Sequence, residues 1–210
     1  MADLTDALNE LLSGQTGTIS RRIGADEART QTAIQSAIPA LMAALGQEAS
    51  SPGLRKAIEQ DHDGTIIDQL SEYLNGTAQL NPRATNGTGI LKHALGDRQG
   101  DIAQALSAKS GLDLGSIMQL LPLLAPILMG MLGKKSRSGS SGDGFSLDDL
   151  GSILGGETAK AKSRNPDIGD ILDSFGPKGS GSGTSSTGSS RSSSRGGLGG
   201  LLDSILGRNR

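Results

Sequence analysis

The chain has 210 residues, of which 34% are hydrophobic, 1% are aromatic and 32 are glycine. Folded domains contain about 45–50% apolar residues and about 7% glycine, so part of this chain cannot contribute to a packed core. Cysteine is absent, which excludes disulfides, thiolate metal sites and cysteine nucleophiles.

Composition and charge both change near Gly133. Residues 134–210 contain 17 Gly and 18 Ser among 77 residues, and such a tract has too little apolar surface to offset the entropy lost on ordering. Residues 1–133 carry 9 basic and 14 acidic side chains, whereas residues 134–210 carry 11 and 8. We therefore predict a folded acidic domain over 1–133 and a mostly disordered Gly/Ser-rich tail over 134–210.

Apolar residues recur at helical spacing through nearly all of 1–133, and no run alternates as a half-buried strand would. The pattern predicts an all-α domain of seven to eight helices. Their apolar stripes run, in chain order, over residues 4–12, 19–23, 34–45, 54–58, 66–74, 90–95, 102–106 and 117–132.

Local residues predict where these helices begin and end. Glycine adopts the left-handed C-cap conformation without strain, which predicts helix ends at Gly14, Gly24, Gly46, Gly76 and Gly111. Side-chain oxygens that accept from a free backbone amide predict N-caps at Asp26, Thr88 and Asp101.

The domain carries a weak internal similarity. Placing Pro39 on Pro122, a shift of 83 positions, aligns the apolar residues of two segments. Ile19, Ile23, Ile34, Ile38, Leu41 and Leu45 then fall on Ile102, Leu106, Ile117, Leu121, Leu124 and Leu128. An internal duplication and a chance agreement between amphipathic helices both explain this match.

Two sequence blocks indicate a family. Residues 90–96 read ILKHALG and residues 120–126 read LLPLLAP. With the upstream Ile38-Pro39-Ala40-Leu41, these blocks resemble the bacterial domain of unknown function 937, the YidB-like family. The resemblance covers residues 1–133 and implies an all-helical fold and a bacterial cytoplasmic origin. It implies no activity, substrate or catalytic residue.

No arrangement of residues predicts catalysis, a cofactor or a metal site. His62 lies between Asp61 and Asp63, which we interpret as a solvated acidic turn, and His93 is expected on the surface. Phosphate-binding glycine motifs and nucleophile motifs are absent from the sequence. We therefore expect no enzyme. The acidic N-terminal residues do not resemble a secretory signal, which favours the cytoplasm.

A helix-turn-helix is one alternative. Residues 19–24 followed by 26–38 have its outline, and the outer face of the second helix carries Arg29, Gln31, Thr32 and Gln35. Asp26 and Glu27 stand where a phosphate would approach, and the domain is acidic. Charge therefore disfavours nucleic acid as a partner.

Membrane association through the apolar helix at 114–133 is the other alternative. Residues 120–132 lack charge, but a spanning helix needs about 20 apolar residues and two prolines interrupt this one. A buried central helix of the domain is the favoured interpretation.

The tail contains three short amphipathic segments, at 145–155, 165–176 and 198–207. An aliphatic residue precedes an Ile-Leu pair in each, so the apolar residues share one helical face. Their candidate docking residues are Leu150, Ile153, Leu154, Ile168, Ile171, Leu172, Leu202, Ile205 and Leu206.

Each segment has about 10 to 12 residues, at or below the roughly 12–15 residues at which isolated helices become marginal in water, so the segments should fold only against another surface. We predict that they dock into an apolar groove, either on residues 1–133 of the same chain, on another copy through self-association, or on a separate protein partner. A passive role in a low-complexity tail is the competing interpretation. The sequence thus favours a non-enzymatic interaction or scaffold protein.

Overall fold

The structure, a computed structural model, describes residues 4–138, 150–164 and 169. These residues form helices and connecting turns without any strand, which confirms the all-α prediction. The helices are α1 (Leu4–Ser13), α2 (Thr16–Ile23), α3 (Glu27–Gln47), α4 (Pro52–Asp61), α5 (Thr65–Asp68), α6 (Leu70–Asn75), α7 (Gly87–Leu95), a 3-10 helix (Gly96–Arg98), α8 (Gln99–Ser110), α9 (Leu114–Ser138) and α10 (Leu150–Arg164).

Several predicted helix ends are confirmed. Gly24, Gly76 and Gly111 adopt left-handed φ values of 67°, 78° and 71° directly after α2, α6 and α8. The Asp26 side chain accepts a hydrogen bond from the amide of Arg29 at 2.9 Å and so caps α3.

Two predicted N-caps are wrong. Asn86 rather than Thr88 caps α7, because its Oδ1 accepts from the amide of Gly89 at 3.0 Å. Asp101 lies inside the first turn of α8, because the preceding 3-10 helix already starts the turn. The stripe over 66–74, predicted as one helix, is divided into α5 and α6 at Gln69.

Gly46 and Gly133 do not end helices. Helix α3 continues to Gln47 and α9 continues to Ser138. A Cβ at position 133 would lie 1.6 Å from the carbonyl oxygen of His62, and one at position 46 would lie 3.3 Å from the Cβ of Leu154. Both glycines therefore permit another segment to approach closely.

The predicted domain boundary at Gly133 consequently falls inside α9. By compactness the chain divides instead into Met1–Gly176 and Pro177–Arg210. Helix α10, which the sequence placed in the tail, packs along α3. Packing on α3 stabilises this helix, although few apolar residues lie near it in the sequence.

Helices α3 and α9 form the centre of the fold. Helices α1, α2, α8 and α10 pack on α3, and α2, α4, α5, α7 and α8 pack on α9. Leu121 and Leu124 in α9 are 0% and 2% exposed, as expected for a central helix.

The fold repeats itself. Helices α1 to α4 correspond in order to α7 to α10. Leu8 and Leu12 of α1 match Leu91 and Leu95 of α7 at the predicted shift of 83, and all four are buried.

The shift becomes 87 in the third helix, because α8 has 12 residues and α2 has 8. Pro39 therefore matches Pro126, not Pro122. The predicted register was one turn out because four residues rotate a helix by about 400°, which nearly preserves its apolar face.

Matched contacts at the shift of 87 support duplication over chance. Asp113 caps α9 through the amide of Ser116 at 2.9 Å, as Asp26 caps α3. Arg29 Nη1 donates to the carbonyl of Gly111 at the end of α8 at 3.2 Å. Ser116, at the position that matches Arg29, donates through Oγ to the carbonyl of Ile23 at 3.4 Å, one residue before the Gly24 that matches Gly111.

The fourth helix of each repeat packs on the long helix of the other repeat. Helix α4 packs on α9 beside Gly133, and α10 packs on α3 beside Gly46. These two glycines are themselves 87 positions apart. Each repeat thus contributes a helix that covers the long helix of the other repeat.

Candidate functional site

An open cleft of about 460 Å³ lies between α4 and α7. Leu45 of α3 and Met129 of α9 are nearly fully buried and form its floor. The walls are apolar and consist of Leu54, Ala57, Ile90 and Ala94. We call this space the α4–α7 cleft.

Polar groups of both signs surround the α4–α7 cleft. They are Glu48, Asp61, Arg83, Asn86 and His93. An apolar interior with a few polar groups is typical of binding sites. The combination suits a ligand that is itself amphipathic.

His62 borders the cleft from the C-cap of α4. The side chain is 2% exposed, and its Nδ1 has no hydrogen-bond partner. The sequence predicted a solvated turn here, which is wrong. The close approach of the His62 carbonyl to Gly133 draws the residue inward against α9, a contact that no local pattern could reveal.

Burial lowers the pKa of His62 below the ordinary value of 6.5, although the neighbouring Asp61 and Asp63 oppose this shift. The neutral imidazole is therefore favoured in the folded protein. A buried nitrogen without a partner is costly, so a ligand in the cleft that offers Nδ1 a hydrogen bond would gain from it.

Mild acid is expected to destabilise the protein through His62. The unfolded chain binds a proton near pH 6.5, while the folded chain resists it until its lowered pKa is reached. The free energy of unfolding should therefore fall as the pH drops below 6.5 towards that lower pKa, and then level off.

Urea unfolding at about pH 7.5 and about pH 5.5 tests this dependence. His62→Gln should lose less stability between the two pH values than the wild type, and His93→Gln is the matched control in the same cleft. Equal losses in the wild type and His62→Gln would contradict the assignment.

The structure describes the first of the three predicted docking segments in part. Leu150 and Leu154 are 0% exposed and Ile153 is half-buried. The contact surface is made of small residues, since Gly46 faces Leu154 and Ala49 faces Gly151. The other candidate residues lie outside the described residues; they are Ile168, Ile171, Leu172, Leu202, Ile205 and Leu206.

Sequence reasoning missed Glu157, a buried carboxylate on the same face of α10. Its Oε2 accepts from the amide of Thr5 at 3.0 Å and from the Thr5 hydroxyl at 2.7 Å. The spacing of Leu150, Leu154, Glu157 and Ala161, all buried, is the signal that could have identified it. Glu157 thus satisfies one of the free amides at the start of α1, that of Thr5.

The α4–α7 cleft is the counterpart of the contact between α10 and α1. In that contact the fourth helix meets the first, and Glu157 binds Thr5. In the second half, Thr88 occupies the place of Thr5 but is exposed, and the cleft separates α4 from α7. The first and fourth helices are therefore in contact at α1 and α10 but are separated by a cleft at α7 and α4.

Part of the α3 face that a helix-turn-helix would use to contact DNA makes hydrogen bonds within the protein. Gln31 donates to Ser13 and accepts from the Thr16 hydroxyl. Arg29 binds the Gly111 carbonyl. Thr32 and Gln35 remain exposed.

Helix α9 is long and apolar enough to cross a membrane, judged by length and composition alone. Its most apolar window, within Leu114–Arg137, has a mean hydropathy of 1.7 and is 67% buried. The core helix of a soluble protein meets the same criterion, so this observation is weak evidence for a membrane.

Comparison with known proteins yields one match. A family model described as a bacterial protein of unknown function, DUF937, matches residues 6–135. That range ends inside α9 and does not include α10. No curated protein and no solved structure matches the chain.

Proposed function

The chain belongs to the DUF937 family of bacterial proteins of unknown function, and on that premise we propose that it is a non-enzymatic, cytoplasmic interaction protein whose α4–α7 cleft binds a short apolar helix. The observation that carries this proposal is the asymmetry of the repeat. Helix α10, the fourth helix of the second repeat, packs against α1, the first helix of the first repeat. At the matching place, an apolar cleft separates α4 from α7.

The chemistry of the cleft supports a helical ligand. Helix-in-groove recognition uses an apolar floor that accepts side chains spaced three and four residues apart, with polar groups at the edge. The buried Leu45 and Met129 supply such a floor. Helix α10 illustrates the mode, since a short helix packs on this protein through Leu150 and Leu154.

The titratable groups of the cleft support binding rather than catalysis. A general base activates a nucleophile to which it is hydrogen-bonded. His62 has no hydrogen-bond partner at Nδ1, so no nucleophile is bonded to that nitrogen. Its neutral imidazole can instead exchange a hydrogen bond with a ligand.

Membrane association through α9 remains the second candidate, because its length and hydropathy suffice. Membrane use would require α9 to leave its helical neighbours and expose a core that includes Leu121 and Leu124. A helix-turn-helix role has less support, because Arg29 and Gln31 already make contacts within the fold.

Replacing Ile90 with serine is expected to weaken helix binding about tenfold, because one half-buried aliphatic wall of the cleft is lost. The probe is a fluorescent synthetic amphipathic helix unrelated to this sequence, and the readout is polarisation. The chain used carries serine at Leu202, Ile205 and Leu206, so that these candidate docking residues cannot compete.

Leu114→Ser is the matched control, since it removes an aliphatic side chain that is 49% exposed and lies outside the cleft. It should leave the affinity unchanged. Equal effects of the two substitutions, or no binding of the probe at all, would contradict the proposed function.

A further inference from the structure

Both repeats bury a polar residue on or beside their fourth helix. In the second repeat it is Glu157 of α10, and its Oε2 accepts from the Thr5 hydroxyl of α1 at 2.7 Å. In the first repeat it is His62, the C-cap residue of α4, which is 2% exposed. Its Nδ1 makes no hydrogen bond among the described residues. One repeat thus supplies a partner for its buried polar group and the other does not.

The partner is missing at the place where the contact between helices is missing. Glu157 meets Thr5 where α10 packs on α1, whereas His62 lines the cleft that separates α4 from α7. The cleft volume of about 460 Å³ lies within the range of about 300–1,000 Å³ that is typical of ligand sites. A ligand that fills the cleft therefore comes next to His62.

The ligand must open a path to the buried nitrogen. Nδ1 is closed to solvent in the free protein, so a side chain beside it must move on binding. Rotamer changes of this kind are common at interfaces. The gain is a hydrogen bond for a nitrogen that is costly to leave without one.

A helical ligand can reach Nδ1 only with a side chain, because its backbone amides are bonded within the helix beyond the first turn. A charged side chain is costly to desolvate beside a buried imidazole. A hydroxyl is small and neutral, and it suits either tautomer of His62, since it can donate to a bare Nδ1 or accept from a protonated one.

We propose that the α4–α7 cleft binds a helix of a separate protein that carries a serine or threonine, whose hydroxyl bonds to Nδ1 of His62. This inference rests on the proposed function and names the chemistry of the partner. Among the described residues, Leu114 and Met118 are the large hydrophobic side chains that stay exposed. Two such side chains are too few for the apolar face of a docking helix, which favours a separate protein over a second copy.

Charge at the edge of the cleft does not select a ligand of one sign. Glu48 and Asp61 are acidic and Arg83 is basic, and His93 adds a second imidazole. Asp63 lies next to His62 on the other side from Asp61. The probe helices therefore carry Lys and Glu in equal numbers on the polar face, so that differences in affinity report the apolar face.

Four synthetic fluorescent helices test the inference on the chain with serine at Leu202, Ile205 and Leu206. The parent has valine at its first, fifth and eighth positions, the spacing of Leu150, Leu154 and Glu157 in α10. Each of the other three has threonine at one of these positions, which adds a hydroxyl with little change of shape. One threonine helix should bind about threefold more tightly than the parent. On His62→Phe the same helix should bind about tenfold more weakly than the parent, because its hydroxyl is buried without a partner.

Two further variants serve as controls. His62→Gln should keep the preference for threonine, because its amide also donates and accepts. His93→Phe, in the same cleft, should change the affinities of all four helices alike and leave the preference unchanged. Each preference is a ratio of two affinities on one variant, so a loss of folded protein cancels.

The inference is overturned if no threonine helix binds more tightly than the parent, or if the preference survives in His62→Phe. Nδ1 would then take its hydrogen bond elsewhere, as from water in the smaller cavity of about 230 Å³ that His62 also lines. A mass that rises with concentration in sedimentation, and no longer rises in Ile90→Ser, would place a second copy in the cleft and overturn the assignment to a separate protein. Failure of the parent helix to bind would instead contradict the proposed function itself.

Discussion

Alanine at position 133 is expected to lower the free energy of unfolding by about 3 kcal/mol or more, at the upper end of overpacking effects. The added methyl would lie 1.6 Å from the carbonyl oxygen of His62 and 2.8 Å from its carbonyl carbon. Backbone atoms cannot rotate away as a side chain can. Helix α4 must therefore move away from α9, which also displaces His62 at the edge of the cleft.

Gly155→Ala and Gly156→Ala are the matched controls. Both glycines lie inside α10, where a Cβ would meet no atom within 4 Å. Alanine should stabilise each position by about 0.5–1 kcal/mol, because glycine loses more backbone entropy in a helix. Urea unfolding of the three variants thus separates close packing from helix propensity.

A Gly133→Ala protein as stable as the wild type would contradict this packing. It would mean that the end of α4 does not lie against α9 and that the α4–α7 cleft has a different shape. His62 would then be free to lie in solvent, as the sequence alone predicted.

The sequence correctly predicted those helix ends that depend only on neighbouring residues. Gly24 and Gly111 end helices because each adopts a left-handed conformation, and Asp26 caps α3 because its carboxylate reaches a free amide. Such features depend on a few neighbouring residues. The sequence therefore identifies them without knowledge of the fold.

The same signals failed where distant residues decide. Gly46 was predicted to end a helix and Gly133 to end the domain, but the two glycines instead allow Leu154 and His62 to approach closely. Thr88 was predicted to cap α7, but Asn86, two residues earlier, accepts the hydrogen bond that caps this helix. The sequence alone does not show whether a glycine ends a helix or allows close packing, or whether a hydroxyl caps a helix.

The candidate site was harder to foresee than the helices. Its floor joins Leu45 and Met129, which lie on different long helices, and its walls come from α4 and α7. Only the packing of the two repeats brings these residues together. The one-turn difference between α2 and α8 also concealed the register of the repeat, so the correspondence between the cleft and the α1–α10 contact could not be derived.

Replacing Leu154 with alanine is expected to cost about 2–5 kcal/mol, as other large-to-small core substitutions do. The side chain is 0% exposed and lies against Gly46 of α3. The expected loss is like that of Leu124→Ala in the centre of α9, where the side chain is 2% exposed. Urea unfolding of both variants provides the comparison.

This measurement also decides where the folded part of the chain ends. If the fold stopped at Gly133, Leu154→Ala would change the stability by less than about 0.5 kcal/mol, as surface substitutions do, while Leu124→Ala would still be costly. A loss in both variants instead makes α10 part of the cooperative unit. Ile153→Ala, at the half-buried neighbouring position, should cost less than Leu154→Ala, because the helical face buried against α3 is set by Leu150 and Leu154.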